Sequence, residues 1–378
     1  MRYRPLISLS VILFVTSMPT HADLPTGTGW HAIPNTRLRS VCAGENGFST
    51  ILGGTGCPAI TAAWNSAVFD SSRNRLIIWG GGHNDYYGNE IYAVELDTAS
   101  VHRLTDPGLP RSPSGTCQEA IADGTQPNSR HTYDGIEYIA RTDQMFVFGG
   151  SLACARGTFG SDTWTFDFKT DSWRRMTPTG PIPWGDAGVM TAYDQSTGLV
   201  YLHDRKHLYS YDAAVDRYTQ VSTSATTLGY HMAATIDQKR RRFVIVGHDG
   251  VQGEGRMYAY DLTPASTVRI QQIGSSGASI LSERYPGLEY DPTQDKIVAW
   301  GQSNPNSVFI FDPDANQWTT RTISGGPTPA GNGTHGRLRY STASGVFVLA
   351  NSVDENVMIL RLDYAPARPN PPNNVTAQ

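Results

Sequence analysis

Met145-Phe146-Val147-Phe148-Gly149-Gly150, then Asp162-Thr163-Trp164-Thr165-Phe166-Asp167 and, after Lys169-Thr170-Asp171, Trp173, is the stretch that decides the fold. Its apolar runs last five or six residues, which is strand length, and their aromatic and β-branched side chains suit a pleated, half-buried surface. Gly149-Gly150 and Thr170-Asp171 interrupt those runs where the backbone must turn. Upstream, His131-Thr132-Tyr133 opens the same unit. The pattern reads as an alternating strand, a turn, a second strand ending in glycine, a loop, an aromatic-rich third strand, a turn and a fourth strand.

That unit recurs along the chain. One copy precedes it, with Ala67-Val68-Phe69-Asp70, Leu76-Ile77-Ile78-Trp79-Gly80-Gly81-Gly82 and Glu90-Ile91-Tyr92-Ala93-Val94. Three copies follow, whose second strands are Leu199–Leu202, Phe243–Gly247 and Ile297–Gly301. A sixth copy, from Arg337-Leu338-Arg339-Tyr340 to Val357-Met358-Ile359-Leu360, stops after three strands; Trp30-His31-Ala32-Ile33 supplies the missing fourth. Units that cannot bury a face alone must stack on their neighbours, and a ring closed by strands from both ends leaves no open sheet edge. The di-glycine followed by spaced tryptophans resembles the kelch repeat. The resemblance implies an all-β, kelch-like β-propeller of six blades, with seven as the rival count if residues 36–63 hide a degenerate blade. Trp and Tyr in the third and fourth strands are then packing residues between blades.

Composition agrees and narrows the partners. Charged residues make up 17% and glycines number 38, which fits short strands and tight turns rather than helices. A net charge of −4 leaves no basic field for nucleic acid. The run Lys239-Arg240-Arg241-Arg242 is read as a solvated hairpin tip. Residues 1–22 read as a signal peptide, with Arg2 and Arg4, an apolar stretch from Leu6 to Val15 and a cleavage site at Thr20-His21-Ala22. The propeller is expected over 23–364, soluble outside the cytoplasm, monomeric and without a membrane span, and 365–378 reads as a Pro-rich linker. Four cysteines in an exported chain predict two disulfides. The preferred set is Cys42–Cys57 with Cys117–Cys154, each stapling an irregular segment. Segment 106–129 is the longest insertion and is expected to shape a cleft.

Chemistry is expected at one end of the channel. In a propeller, the residues just before each first strand meet the loops after the second strands. The former are Trp64, Asn65, Arg130, His131, Asp186, Tyr230, His231, Arg284, Tyr285 and His335; the latter are His83-Asn84-Asp85-Tyr86-Tyr87, His203 to Arg205, and His248-Asp249. A wet channel accounts for any one polar residue, whereas six histidines in two structural phases point to a site. Tyr86 and Tyr87, read as an exposed pair, suit stacking on sugar rings, and the Gly80–Gly82 run lets backbone approach a ligand.

Three functions compete. β-Elimination from a uronic-acid glycan needs a group that neutralises the carboxylate, a base for the adjacent C–H and an acid for the leaving oxygen. His231, His248 and Tyr285 are similar to the two histidines and tyrosine of secreted propeller polysaccharide lyases. Gln302 stands where the following arginine would be, so Arg284 or Arg337 must substitute. His83 and His131 are further catalytic candidates; Asn84, Asp85, Tyr86, Tyr87, Asp186, Tyr230, His335 and Arg337 are candidate substrate contacts. Tyr230-His231 and His335 also look like part of the copper site of galactose-oxidase-type propellers, without the cysteine-linked tyrosine. The third alternative is a propeller that binds an extracellular poly- or oligosaccharide without cleaving it. No cofactor is expected, with room left for a structural divalent cation.

Overall fold

The computed structural model describes residues 22–108, 117–154, 158–222, 225–253, 255–263, 269–273 and 279–364. All but the last residue of the expected signal peptide, and the whole tail at 365–378, lie outside the described residues. What is described is a six-bladed β-propeller built from six four-stranded antiparallel sheets. The inner strands are Ser66–Asp70, Ile136–Ile139, Met190–Asp194, His231–Asp237, Gly287–Asp291 and Leu338–Ser341, for blades 1 to 6 in that order. Blade 2 carries a small extension in which Arg130–His131 pairs with Ser151–Leu152.

Strand alternation builds the core. Because successive side chains point to opposite faces, Ile297 and Ala299 pack towards blade 4 whereas Val298 and Trp300 pack towards blade 6. The same division repeats around the ring, so six apolar clusters lie between adjacent blades. Trp79 and Trp164 are fully buried in the cluster between blades 1 and 2. Blade 6 is completed by Gly29–Ala32, which pairs antiparallel with Met358–Arg361 from Gly29 opposite Arg361 to Ala32 opposite Met358. Trp30 then lies 5.7 Å from Trp300 of blade 5, ring centroid to centroid.

Residues 36–63 are no seventh blade. They form short helical turns, Leu38–Val41, Ala43–Glu45 and Ser49–Ile51, followed by the one-turn helix Ala59–Ala62. The Cys42–Cys57 disulfide staples them, and Cys117–Cys154 ties the described end of the 106–129 segment to blade 2. Two disulfides fit an oxidising environment. Among the described residues no helix is long and apolar enough to cross a membrane.

The basic run sits at a hairpin turn, between His231–Asp237 and Arg242–His248, with Lys239 exposed, but Arg240 and Arg241 are clasped rather than solvated. The Arg240 guanidinium donates to both oxygens of Asp295 at 2.7 Å, to Asp237 at 3.1 Å and to Asp314 at 2.6 Å, joining blades 4 and 5. Arg241 turns the other way, to Asp194 of blade 3. An equivalent clasp joins blades 1 and 2, where Arg73 holds Asp143 at 2.7 Å. In both clasps a tyrosine five residues before the aspartate, Tyr290 or Tyr138, donates to it at 2.9 Å. Hydrogen bonds from Arg240 hold the Asp295 carboxyl far below the usual carboxylate range. A depressed folded-state pKa contributes stability above the ordinary value of about 4, lost as pH falls below it. Arg240→Ala is therefore expected to lower unfolding stability by about 1–3 kcal/mol at pH 7, the pairs being only partly buried. Denaturant titrations should show the deficit shrinking as pH falls towards 3.

Candidate functional site

The site begins with a backbone approach. Gly82 has φ of 84°, and a Cβ there would lie 2.0 Å from the His131 nitrogen, so only glycine lets the first blade's loop seat against the second blade. That contact brings Asp85 Oδ2 to 2.9 Å from His131 Nε2, while Thr55 donates to the other carboxylate oxygen at 2.6 Å. The His131 hydrogen bond holds the Asp85 carboxyl below its usual range. His83 and Trp64 flank His131, with ring centroids 6.0 and 5.2 Å away.

A second group forms where blades 4 and 5 begin. His231 and His248 are directly opposed in register on neighbouring strands, which puts both imidazoles on one face, 5.6 Å apart. Tyr230 stacks 3.8 Å from the His231 ring, and Tyr285 meets it edge-on at 4.6 Å. Tyr133 and His335 join the two groups. His335 lies 4.7 Å from Tyr285 and 6.1 Å from Tyr133, and Tyr133 is 6.4 Å from His131. An unbroken arc of rings thus crosses the channel mouth from His83 to His248.

Electrostatics divides the labour along this arc. Burial, then the charge of Arg284, His248 and Arg205, depresses His231 to about 4, so its imidazole is neutral at pH 7. Burial raises the Tyr285 and Tyr133 phenols well above their usual range, leaving both as O–H donors. His335 is fully buried and pushed far down; its Nε2 lies 3.2 Å from the Asn332 carbonyl and its Nδ1 has no hydrogen-bond partner. His83, Tyr133, Tyr285 and His335 have φ between 45° and 50°, a left-handed conformation costly for such side chains. Four strained rings at one mouth are held there by the blade-to-blade backbone: Tyr133 N donates to Trp64 O, Tyr285 N to His231 O and Thr334 N to Tyr285 O.

Several expected contacts lie elsewhere. The tyrosine pair is not exposed: Tyr86 is wholly buried, donating to Glu90 at 2.5 Å, and Tyr87 is 6% exposed and bonded to Asn84. Arg337 is buried and lowered to about 9 by that burial, so it stays charged at neutral pH. It is occupied by the carbonyls of Ala350, Asn65 and Gly333. Arg130 is likewise buried against Asp162. His203 bonds Tyr260 at 2.8 Å in the core, and Asp249 accepts from the backbone of Gly229 and the Tyr258 hydroxyl. Arg284, by contrast, is exposed beside His231. Asp186 pairs with Arg205 at 2.6 Å, and Arg205 lies over the Tyr230 ring at 5.7 Å.

One member of the arc, Tyr133, escaped the sequence reading as a site residue, and Arg205 was placed at the mouth without a role. For Tyr133 a signal was there: Tyr133-Asp134-Gly135 matches Tyr285-Pro286-Gly287 in spacing and phase. A cavity of about 780 Å³ opens at the other end of the channel, but its charged groups satisfy one another, Arg339 donating to Glu137 and Glu289 at 3.2 Å each.

The donor set fits copper poorly. All four cysteines are in disulfides, so none is left to cross-link a tyrosine. Among the described residues no three His, Cys, Asp or Glu side chains are grouped as a metal would require.

The arrangement defines a six-bladed propeller with an imidazole–phenol arc at one channel mouth. No protein-family model and no curated protein matches the chain. Among solved structures it is similar to a fungal alcohol oxidase of the AA5 family in complex with copper, at 14% identity and a TM-score of 0.48. The match covers 79% of this chain and 62% of the oxidase, so the chain spans less than two thirds of that protein. Copper and alcohol oxidation are properties of that protein.

Proposed function

We propose that this is a secreted polysaccharide lyase that cleaves a uronic-acid-containing glycan by β-elimination at the His231–Tyr285 end of the arc. The observation that carries the proposal is the pairing of a neutral His231 and a protonated Tyr285 with two guanidiniums, Arg284 and Arg205, whose charge reaches His231. The exposed Arg284 takes the substrate carboxylate and favours loss of the adjacent proton, while Arg205, held by Asp186, contributes only through its charge. The neutral His231 accepts that proton, the C–O bond to the leaving sugar breaks, and the Tyr285 hydroxyl protonates the departing oxygen. The product carries a C=C bond conjugated to its carboxylate. Arg284 takes the role for which Arg337 is unsuited, being held by carbonyls.

The pH dependence follows from the same charges. In the free protein the rate should rise as pH passes about 4, when His231 loses its proton. A bound carboxylate offsets Arg284 and Arg205 and so raises the basicity of His231. The acid limb of kcat is therefore expected at higher pH than that of kcat/KM, because the former reports the complex and the latter the free protein. Coincident limbs would rule out His231 as the base.

The direct test is ultraviolet absorbance from the unsaturated product on incubation with polygalacturonate, alginate, hyaluronan and ulvan. A rise with one of them is expected; none with any overturns the lyase. A non-catalytic glycan-binding propeller is favoured by one observation, that Gln302 stands at the arginine position and donates to the carbonyls of Ala330 and Gly331. Affinity for the same polymers without product, unchanged in His231→Ala, would establish that second reading.

A further inference from the structure

Six large apolar side chains are exposed among the described residues: Phe159, Ile182, Trp184, Val215, Tyr230 and Val251. Val215 sits in the turn between Leu208–Asp212 and Arg217–Gln220, at the far end of the channel. The other five all belong to the mouth, and only to its side formed by blades 2, 3 and 4. Loops of blades 5, 6 and 1 expose none among the described residues. Chance scatter of single apolar residues over a surface would not choose one arc of one face.

Three of the five, Phe159, Trp184 and Tyr230, are linked through their loops. Phe159 lies 6.5 Å from Tyr133 of the ring arc. Gly185, next to Trp184, would place a Cβ 1.8 Å from the Gly160 carbonyl, so the Trp184 loop is pressed against the Phe159 loop. Trp184 N donates to Asp204 at 3.3 Å and Gly185 N to Ser161 at 3.2 Å, anchoring the backbone under an indole that is 72% exposed. Two residues on, Asp186 grips Arg205, which covers Tyr230 beside His231. A tryptophan side chain has only two torsions, so little conformational entropy is lost when a flat apolar face stacks on it.

We propose that Phe159, Trp184 and Tyr230 form a stacking rail that leads into the His231–Tyr285 pair, so that the ligand is an extended acidic polysaccharide running over blades 2 to 4. The occupant is specified by chemistry on both counts. Sugar rings offer C–H faces to aromatic planes, and the exposed guanidinium of Arg284 stands beside His231 at the end of the rail, where a carboxylate on the chain would be met; Arg205 within the rail is already held by Asp186.

The inference rests on the proposed function only for its catalytic end; the rail itself concerns binding. The test is calorimetric affinity for polygalacturonate, alginate and hyaluronan, each as polymer and as tetrasaccharide, for the native protein, Trp184→Ala and Phe159→Ala/Trp184→Ala. Native protein should bind polymer more tightly than tetrasaccharide. The single variant should lose roughly three- to tenfold of polymer affinity, as for one aromatic contact, and the double variant most of the gain with length. Matching thermal unfolding midpoints show that the fold is kept. Polymer affinity unchanged in the double variant overturns the rail even if product forms. Length-dependent, Trp184-sensitive binding without unsaturated product keeps the rail and removes the lyase. Binding to none of the polymers removes both.

Discussion

His231→Ala should lower kcat for cleavage of the responsive uronate polymer by about 10²–10⁴-fold, the range by which one positioned proton-transfer group accelerates a reaction. Affinity for the polymer should change little by comparison, because the guanidiniums and the rail remain. The distinction matters: a merely structural histidine would lower affinity and turnover together through a disturbed mouth. Tyr285→Phe provides the matching test of the acid. It keeps the ring that packs 4.6 Å from His231 and 4.7 Å from His335, and removes only the hydroxyl. A loss of similar size is expected with a good leaving group absent, and partial recovery when the leaving sugar is replaced by a more acidic phenol. Full activity of either variant would remove its residue from the mechanism. Arg284→Ala should act mainly through KM and should also shift the acid limb of kcat/KM upwards, since one of the cations that depress His231 has gone.

The largest stability effect is expected at the ring closure. Trp30 is 7% exposed, packs in the cluster between blades 5 and 6, and belongs to the strand that completes blade 6. Trp30→Ala should cost about 3–5 kcal/mol, the range for removing a buried tryptophan. Deleting the whole Gly29–Ala32 strand should cost more, because Met358–Arg361 would then present an unpaired edge to solvent. Thermal unfolding gives the first result, and light scattering the second, as concentration-dependent association. A strand-deleted protein that stays monomeric with the native midpoint would show that closure contributes little.

How much of this was legible beforehand depended on what each feature rests on. The blade repeat was readable because strand alternation and turn residues act locally, and the closing strand because Trp30 repeats the phase of Trp173 and Trp318. Arc members His231, Tyr285 and His335 could be named from repeat phase alone, which places a residue at the mouth. Phase does not say which way the side chain turns. Tyr86 and Tyr87 sit at the mouth and point inwards, because the stapled 36–63 segment covers them, with Gly44 N donating to the Tyr86 hydroxyl at 3.1 Å. Arg337 was misread for the same reason: the Asn65 carbonyl, brought against blade 6 only by the closed ring, joins those of Gly333 and Ala350 in capturing it. Arg240 and Arg241 looked solvated because Asp295, Asp314 and Asp194, which hold them, come from other blades and are remote in sequence.

The strand that closes blade 6 also sets an order of events. Gly29 is among the first described residues to leave the ribosome, yet its register partner Arg361 is among the last. Five sheets can pair from neighbouring sequence as they emerge, whereas the sixth waits for both ends to meet, a contact of very large sequence separation that carries the greatest loop-closure cost. Until then the apolar flanks of blade 6 and of blade 1 are unmatched. The interval between synthesis and closure is thus the period in which this chain is most open to mispairing with a second copy of itself.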